Sequence, residues 1–211
     1  MDNQALLALL ERLRNRSQEG ATVEFKSNLR DPSEIGQYIS ALANSAALEG
    51  ASRAWVIWGV KDDTHEVVST SFDPFSAKGE GSQSLIMWLQ KMTTPKADFT
   101  FHAARHSVGT VVMLEIHPAR TAPVAFQNIR YIRIDSHKTK LGEHSDKEAR
   151  LWDVLGQKED WSGELVPGAS LADLDPQARR RPVRRAAAAC GSGTRNLPLV
   201  LGREACHARI G

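Results

Sequence analysis

Residues 54–60 (AWVIWGV) constrain this chain more than any other stretch. They form a near-continuous apolar run of strand length, rich in aromatic and β-branched residues. A strand with one wet face alternates apolar and polar; a strand without alternation is covered on both faces. The chain supplies cover of the right kind. Leu6, Leu7, Leu9, Leu10 and Leu13 recur at helical spacing near the start. A second helix is signalled at Asp31-Pro32-Ser33-Glu34, with Asp31 as N-cap and Pro32 in the first turn, and it carries Ile35, Ile39, Leu42, Ala43 and Ala46 on one face.

Local signals place the other elements. Residues 22–26 read as a short strand after Gly20, residues 61–64 as a turn and 66–68 as a return strand. Residues 79–82 open a helix over 83–91, with Ser82 as its N-cap and Pro95 as its stop. Strands follow at 98–104 and 110–116, then a hairpin of 123–126 with 129–134 turning at Gln127-Asn128, with a loop after it. A last helix over 145–155 starts with Ser145 as N-cap and Glu148 in the capping-box position. The order αβαββαββββα predicts an α/β (α+β) fold: a mixed sheet flanked by helices, over residues 1–156.

Texture changes beyond Gly156. Residues 157–178 read as a linker and the start of a truncated helical module. Residues 179–211 are rich in Arg, Ala, Gly and Pro and read as a disordered basic tail. The abrupt change within a helix that has just begun suggests an out-of-frame translation; a basic tail that binds nucleic acid non-specifically is the other explanation. The formal charge of +2 hides this division. Residues 177–211 hold eight of the 27 Lys+Arg and one of the 25 Asp+Glu, leaving 19 cations against 24 acids before them. The folded part is acidic, so nucleic-acid binding needs a local basic patch. The two cysteines, Cys190 and Cys206, both lie in the tail, which leaves the main domain without a disulfide framework and points to a cytoplasmic setting. No apolar run is long enough to cross a bilayer, and the N-terminus lacks the basic start of a secretory signal.

Three segments could carry chemistry: Glu19-Gly-Ala-Thr-Val-Glu24-Phe25-Lys26; Ala41-Leu-Ala-Asn44-Ser45 with the strand AWVIWGV and Lys61-Asp62-Asp63; and Pro123-Val-Ala-Phe126 with Tyr131-Ile-Arg133-Ile-Asp135-Ser136. In that order and spacing they resemble the Schlafen/AlbA-type DNA-binding domain, once catalogued as a divergent AAA domain, over about residues 19–141. The chain departs from that pattern at residues 48–53, where Gly-Gly is usual, and at Asp135, where Gly is usual. The resemblance implies a nucleic-acid-binding regulator or accessory module. ATP hydrolysis is not expected, because no Gly-rich loop ends in Lys-Ser/Thr.

Animal members that cleave RNA use three carboxylates, and the matching positions are Glu19, Glu24 and Asp62. Clustered carboxylates of that kind hold Mg²⁺ or Mn²⁺, which lowers the pKa of a bound water. Lys26, two residues beyond Glu24, shares its strand face and could meet a phosphate; the other reading is an exposed, ion-paired Glu24–Lys26 face with Asp62-Asp63 as a solvated turn. The candidate nucleic-acid contacts are Lys26, Arg130, Tyr131, Arg133, His137, Lys138 and Lys140, with Tyr131 available to stack on a base. Asn44 and Ser45 either end their helix or bond to nearby backbone, and the five Trp read as core or inter-element packing. Three functions stay open: a DNA- or RNA-binding module, a metal-dependent nuclease, and a domain for protein association.

Overall fold

A computed structural model of the chain describes residues 2–15 and 20–156. Glu19 and everything expected of residues 157–211 lie outside the described residues.

The helix nearest the N-terminus, α1 (Asn3–Arg14), is capped by the Asp2 side chain, which accepts from Ala5 N at 2.8 Å. The strand β1 (Val23–Lys26) follows, then α2 (Pro32–Leu48). Asp31 caps α2 as its sequence predicts: Oδ1 accepts from Ser33 N at 2.8 Å and Glu34 N at 3.3 Å. Next comes β2 (Ala54–Trp58), buried at every position, as the lack of alternation requires. The helix α3 (Leu85–Met92) starts later than expected, because residues 77–84 close on themselves first: Gly79 N donates to Gln83 O at 3.0 Å and Leu85 N to Ala77 O at 2.9 Å. Ser84, not Ser82, stands before its first turn.

After α3 come β3 (Thr93–Thr94), β4 (Phe99–His106), β5 (Gly109–Ile116), β6 (Ala125–Phe126), β7 (Ile129–Ile134), β8 (His137–Lys140) and α4 (Ser145–Gly156). Gln127 and Asn128 both have positive φ, 48° and 65°, as a two-residue hairpin turn demands. Residues 137–140 are a strand rather than the expected loop; Asp135 (φ 54°) turns the chain back, so that His137 pairs with Ile134 and Lys140 with Tyr131. Ser145 lies inside α4, whose first bond runs from Glu148 N to His144 O.

The strands form two sheets. The first has the order β1-β2-β5-β4, with β1 and β2 parallel and the rest antiparallel. The second is β3-β6-β7-β8, antiparallel throughout. One face of the first sheet packs on α1, through Leu6, Leu10, Leu13, Trp55, Ile57 and Met113. The other faces α2 and the second sheet, through Ile35, Ile39, Leu42, Val56, Trp58, Leu114, Phe126 and Ile132. The result is an α+β fold in which α2 lies between the sheets and is buried almost all round. Among the described residues no helix is long and apolar enough to cross a membrane.

The close approach of α2 to β6 depends on Gly36. A Cβ there would lie 2.1 Å from Cε2 of Phe126, a ring only 1% exposed. Gly36→Ala is therefore expected to destabilise the domain by about 3 kcal/mol through overpacking, measured by denaturant unfolding.

Candidate nucleic-acid interface

Two polar arrangements inside the fold position the candidate residues. The first explains the Ala-Asn-Ser segment. Asn44 Oδ1 accepts from Val124 N at 2.7 Å, and its Nδ2 donates to Val124 O at 2.9 Å and to Tyr131 O at 2.8 Å. Ser40, one turn earlier, donates to Val124 O at 2.7 Å and accepts from Tyr131 N at 3.0 Å. Ser45 Oγ accepts from Arg133 N at 2.9 Å. A buried helix presents hydroxyl and amide groups where another strand would present N–H and C=O. Asn44 does not end its helix, which runs on to Leu48. It binds backbone, though backbone some eighty residues away in the chain.

The second arrangement is a chain of ion pairs from β1 to β7. Glu24 and Arg133 are each only 3% exposed, and Arg133 Nη1 contacts Glu24 Oε2 directly. Glu24 Oε1 lies 2.6 Å from Lys26 Nζ, and the same ammonium lies 2.8 Å from Asp62 Oδ2. Asp62 reaches this place because the chain leaves β2 at Gly59, whose φ of 88° suits glycine and whose N–H bonds back to Lys26 O at 2.8 Å. Arg133 is tied further by Nη2 donating to Ser136 O at 3.0 Å.

Strand alternation places Arg133 on one hairpin face with Tyr131, Lys138 and Lys140, but that residue alone is fully inside. It is a structural cation for Glu24 and not a surface contact, which corrects its expected role at the interface. Asp135 occupies the turn between β7 and β8. The other cations gather nearer the surface. Lys138 Nζ stands 4.2 Å from the centre of the Tyr38 ring, and Lys26 Nζ stands 5.6 Å from it. Glu34, one turn before Tyr38, lies 3.8 Å from Lys138. Burial pushes the Tyr38 hydroxyl pKa up, partly offset by Lys26; burial pushes the Lys138 ammonium pKa down, partly offset by Glu34. His137 and Lys140 are exposed. Arg130 leaves this line for α4, where Nη1 lies 3.2 Å from Glu148 Oε1 and the guanidinium lies 5.5 Å from the Trp152 ring centre.

Sequence reading missed Tyr38, Glu34 and Ser40. The signal was present: a polar or aromatic hydroxyl inside a helix that is apolar all round must find a partner. By sequence the five Trp read as core or inter-element packing. Trp55, Trp58 and Trp88 are buried, Trp152 is 41% exposed, and Trp161 lies outside the described residues.

Of the carboxylates matched to the metal-binding trio, Glu24 and Asp62 are brought together, yet Lys26 stands between them. Both Glu24 oxygens face cations. A divalent ion shared by this pair would have to displace an ammonium, so the two as placed do not fit one. Among the described residues no group of three or more His, Cys, Asp or Glu is set to hold a metal ion.

No curated protein matches the chain. Among solved structures it is similar to the DIP2311 protein of Corynebacterium diphtheriae, at 15% identity and a TM-score of 0.43. That match covers 84% of this chain and 33% of the other, so the chain spans about a third of that protein's length. Residues 19–142, which hold β1, the Ala-Asn-Ser helix, the AWVIWGV strand and the Tyr-Ile-Arg hairpin, match the sequence model described as Schlafen, AlbA_2. The chain belongs to the Schlafen, AlbA_2 family.

Proposed function

We propose that this domain binds nucleic acid, acting as a DNA-binding transcriptional regulator or as an accessory module to one. The observation that carries the reading is the convergence of Lys26, from the first sheet, and Lys138, from the second, on the ring of Tyr38. Lys140 and Tyr131, directly paired across β7 and β8, continue the line along the same hairpin face. Cations concentrated this way stand out in a part of the chain that holds more acids than bases. Lys138, His137 and Lys140 contact phosphate oxygens; Lys26, balanced by Glu24 and Asp62, sits behind them. A half-buried ammonium such as Lys138 gains from a nearby phosphate, since its present carboxylate partner lies 3.8 Å away.

The test is fluorescence anisotropy of labelled DNA and RNA over a range of salt concentrations, for the wild type and for Lys138→Ala combined with Lys140→Ala. Removing two phosphate contacts is expected to weaken binding and to lower the slope of log K against log salt by about 1.4–1.8. An unchanged slope and affinity overturns this surface. Absence of binding to any nucleic acid overturns the reading and favours protein association. Adding Mn²⁺ tests the nuclease alternative: cleavage abolished by Glu24→Gln would replace the binding module with an enzyme.

A further inference from the structure

We infer that the nucleic acid taken by this surface is single-stranded, and that Trp152 with Arg130 forms a base-stacking step at the end of the lysine line. This rests on the nucleic-acid reading of the same hairpin.

The helix α4 places Glu148 and Trp152 one turn apart, and both hold Arg130. The guanidinium thus has a fixed position at the start of β7. On the same end of the hairpin, Arg130 and Lys140 border a cleft of about 280 Å³ together with Asn128, Ile129 and Gly142. Two large apolar side chains lie open here: Trp152 at 41% and Ile129 at 40%. The two carboxylates at the cleft are engaged, Glu148 with Arg130 and Glu143 with the Thr139 hydroxyl at 3.1 Å. Lys140 is exposed, so its charge is open to an incoming anion.

An exposed indole against a guanidinium that itself borders a cleft with an exposed ammonium suits a nucleotide: the base against the ring, its phosphate at the lysine. The strand state follows from access. In a duplex each base face is covered by its neighbours, and a side chain at the protein surface meets only edges, sugars and phosphates. An unpaired base offers its face. Duplex binding would use the lysines and leave Trp152 idle.

The competing account is that Trp152 only clamps Arg130 to α4. Anisotropy titrations of the full chain separate the two, using one labelled oligonucleotide single-stranded and the same sequence as a duplex. Trp152→Ala is expected to weaken single-strand binding roughly tenfold and duplex binding less than about twofold. Trp152→Phe, which keeps a ring, is expected to stay within about threefold of the wild type on single strands. Addition of the single strand is expected to quench tryptophan fluorescence in the wild type, and less so in Trp152→Phe. Equal weakening on both forms, or no change with Trp152→Ala, overturns the inference. Should Trp152→Ala fail to fold, an unaltered quench in Trp152→Phe overturns it instead. If the lysine double variant loses binding while Trp152→Ala keeps its single-strand affinity, the stacking step fails and the binding function stands. If the wild type binds neither form, both fail.

Discussion

Asn44→Ala is expected to cost about 3–5 kcal/mol of stability. The substitution deletes three hydrogen bonds at once and leaves the Val124 N–H and the Tyr131 C=O without the partner they have in the fold. Both groups lie in the interior or next to it, where an unsatisfied backbone group costs about 1–3 kcal/mol. Val124 O keeps the Ser40 hydroxyl, which sets the upper limit. Asn44→Asp should be little better, because a carboxylate can accept from Val124 N but cannot donate to either carbonyl. Urea unfolding of the two variants beside the wild type measures the cost; a loss below about 1 kcal/mol for Asn44→Ala would show that water replaces the amide.

The second large effect belongs to the buried pair. Glu24→Ala is expected to cost about 3–5 kcal/mol, because it removes the carboxylate that faces the buried Arg133 guanidinium. Arg133→Met is expected to cost less, since Glu24 keeps Lys26 at 2.6 Å. The double variant Glu24→Leu with Arg133→Met removes both charges together and should recover much of the loss, as apolar replacements of buried pairs commonly do. A double-mutant cycle of Glu24→Leu, Arg133→Met and their double variant, read on unfolding free energies, gives the coupling. Near-zero coupling would mean that the two side chains act independently and that the β1-to-β7 link is not a unit.

Much of the architecture was readable from residues alone, for a physical reason. The AWVIWGV run, the Asp31 cap and the Gln127-Asn128 turn are local decisions: each is set by side chains within a few positions. The misses came where the deciding partner lies far along the chain. Residues 137–140 carry no apolar pattern, and they become a strand because the turn at Asp135 lays them against Ile134 and Tyr131. Alternation told which side of β7 Arg133 occupies, but not that Glu24, more than a hundred residues earlier, waits on that side. The later start of α3 has a local cause, but one of closure: the 77–84 loop takes its own hydrogen bonds before a helix can begin. At the site, the cation types and the pairing of Glu24 with Lys26 on one strand face were legible, and the family resemblance implied the approach of Glu24 and Asp62. The burial of Glu24 and the open Trp152 were not legible, since both depend on which surfaces meet.

The position of α2 has a consequence for how this domain comes apart. Its apolar residues belong to the core of the first sheet, while Ser40, Asn44 and Ser45 satisfy the edge of β7 in the second. Neither sheet can open without exposing surface or stranding donors that the same helix serves. Sub-global unfolding of one sheet is thereby suppressed, and the amides of Tyr131 and Arg133 exchange with solvent only as fast as the whole cooperative unit opens.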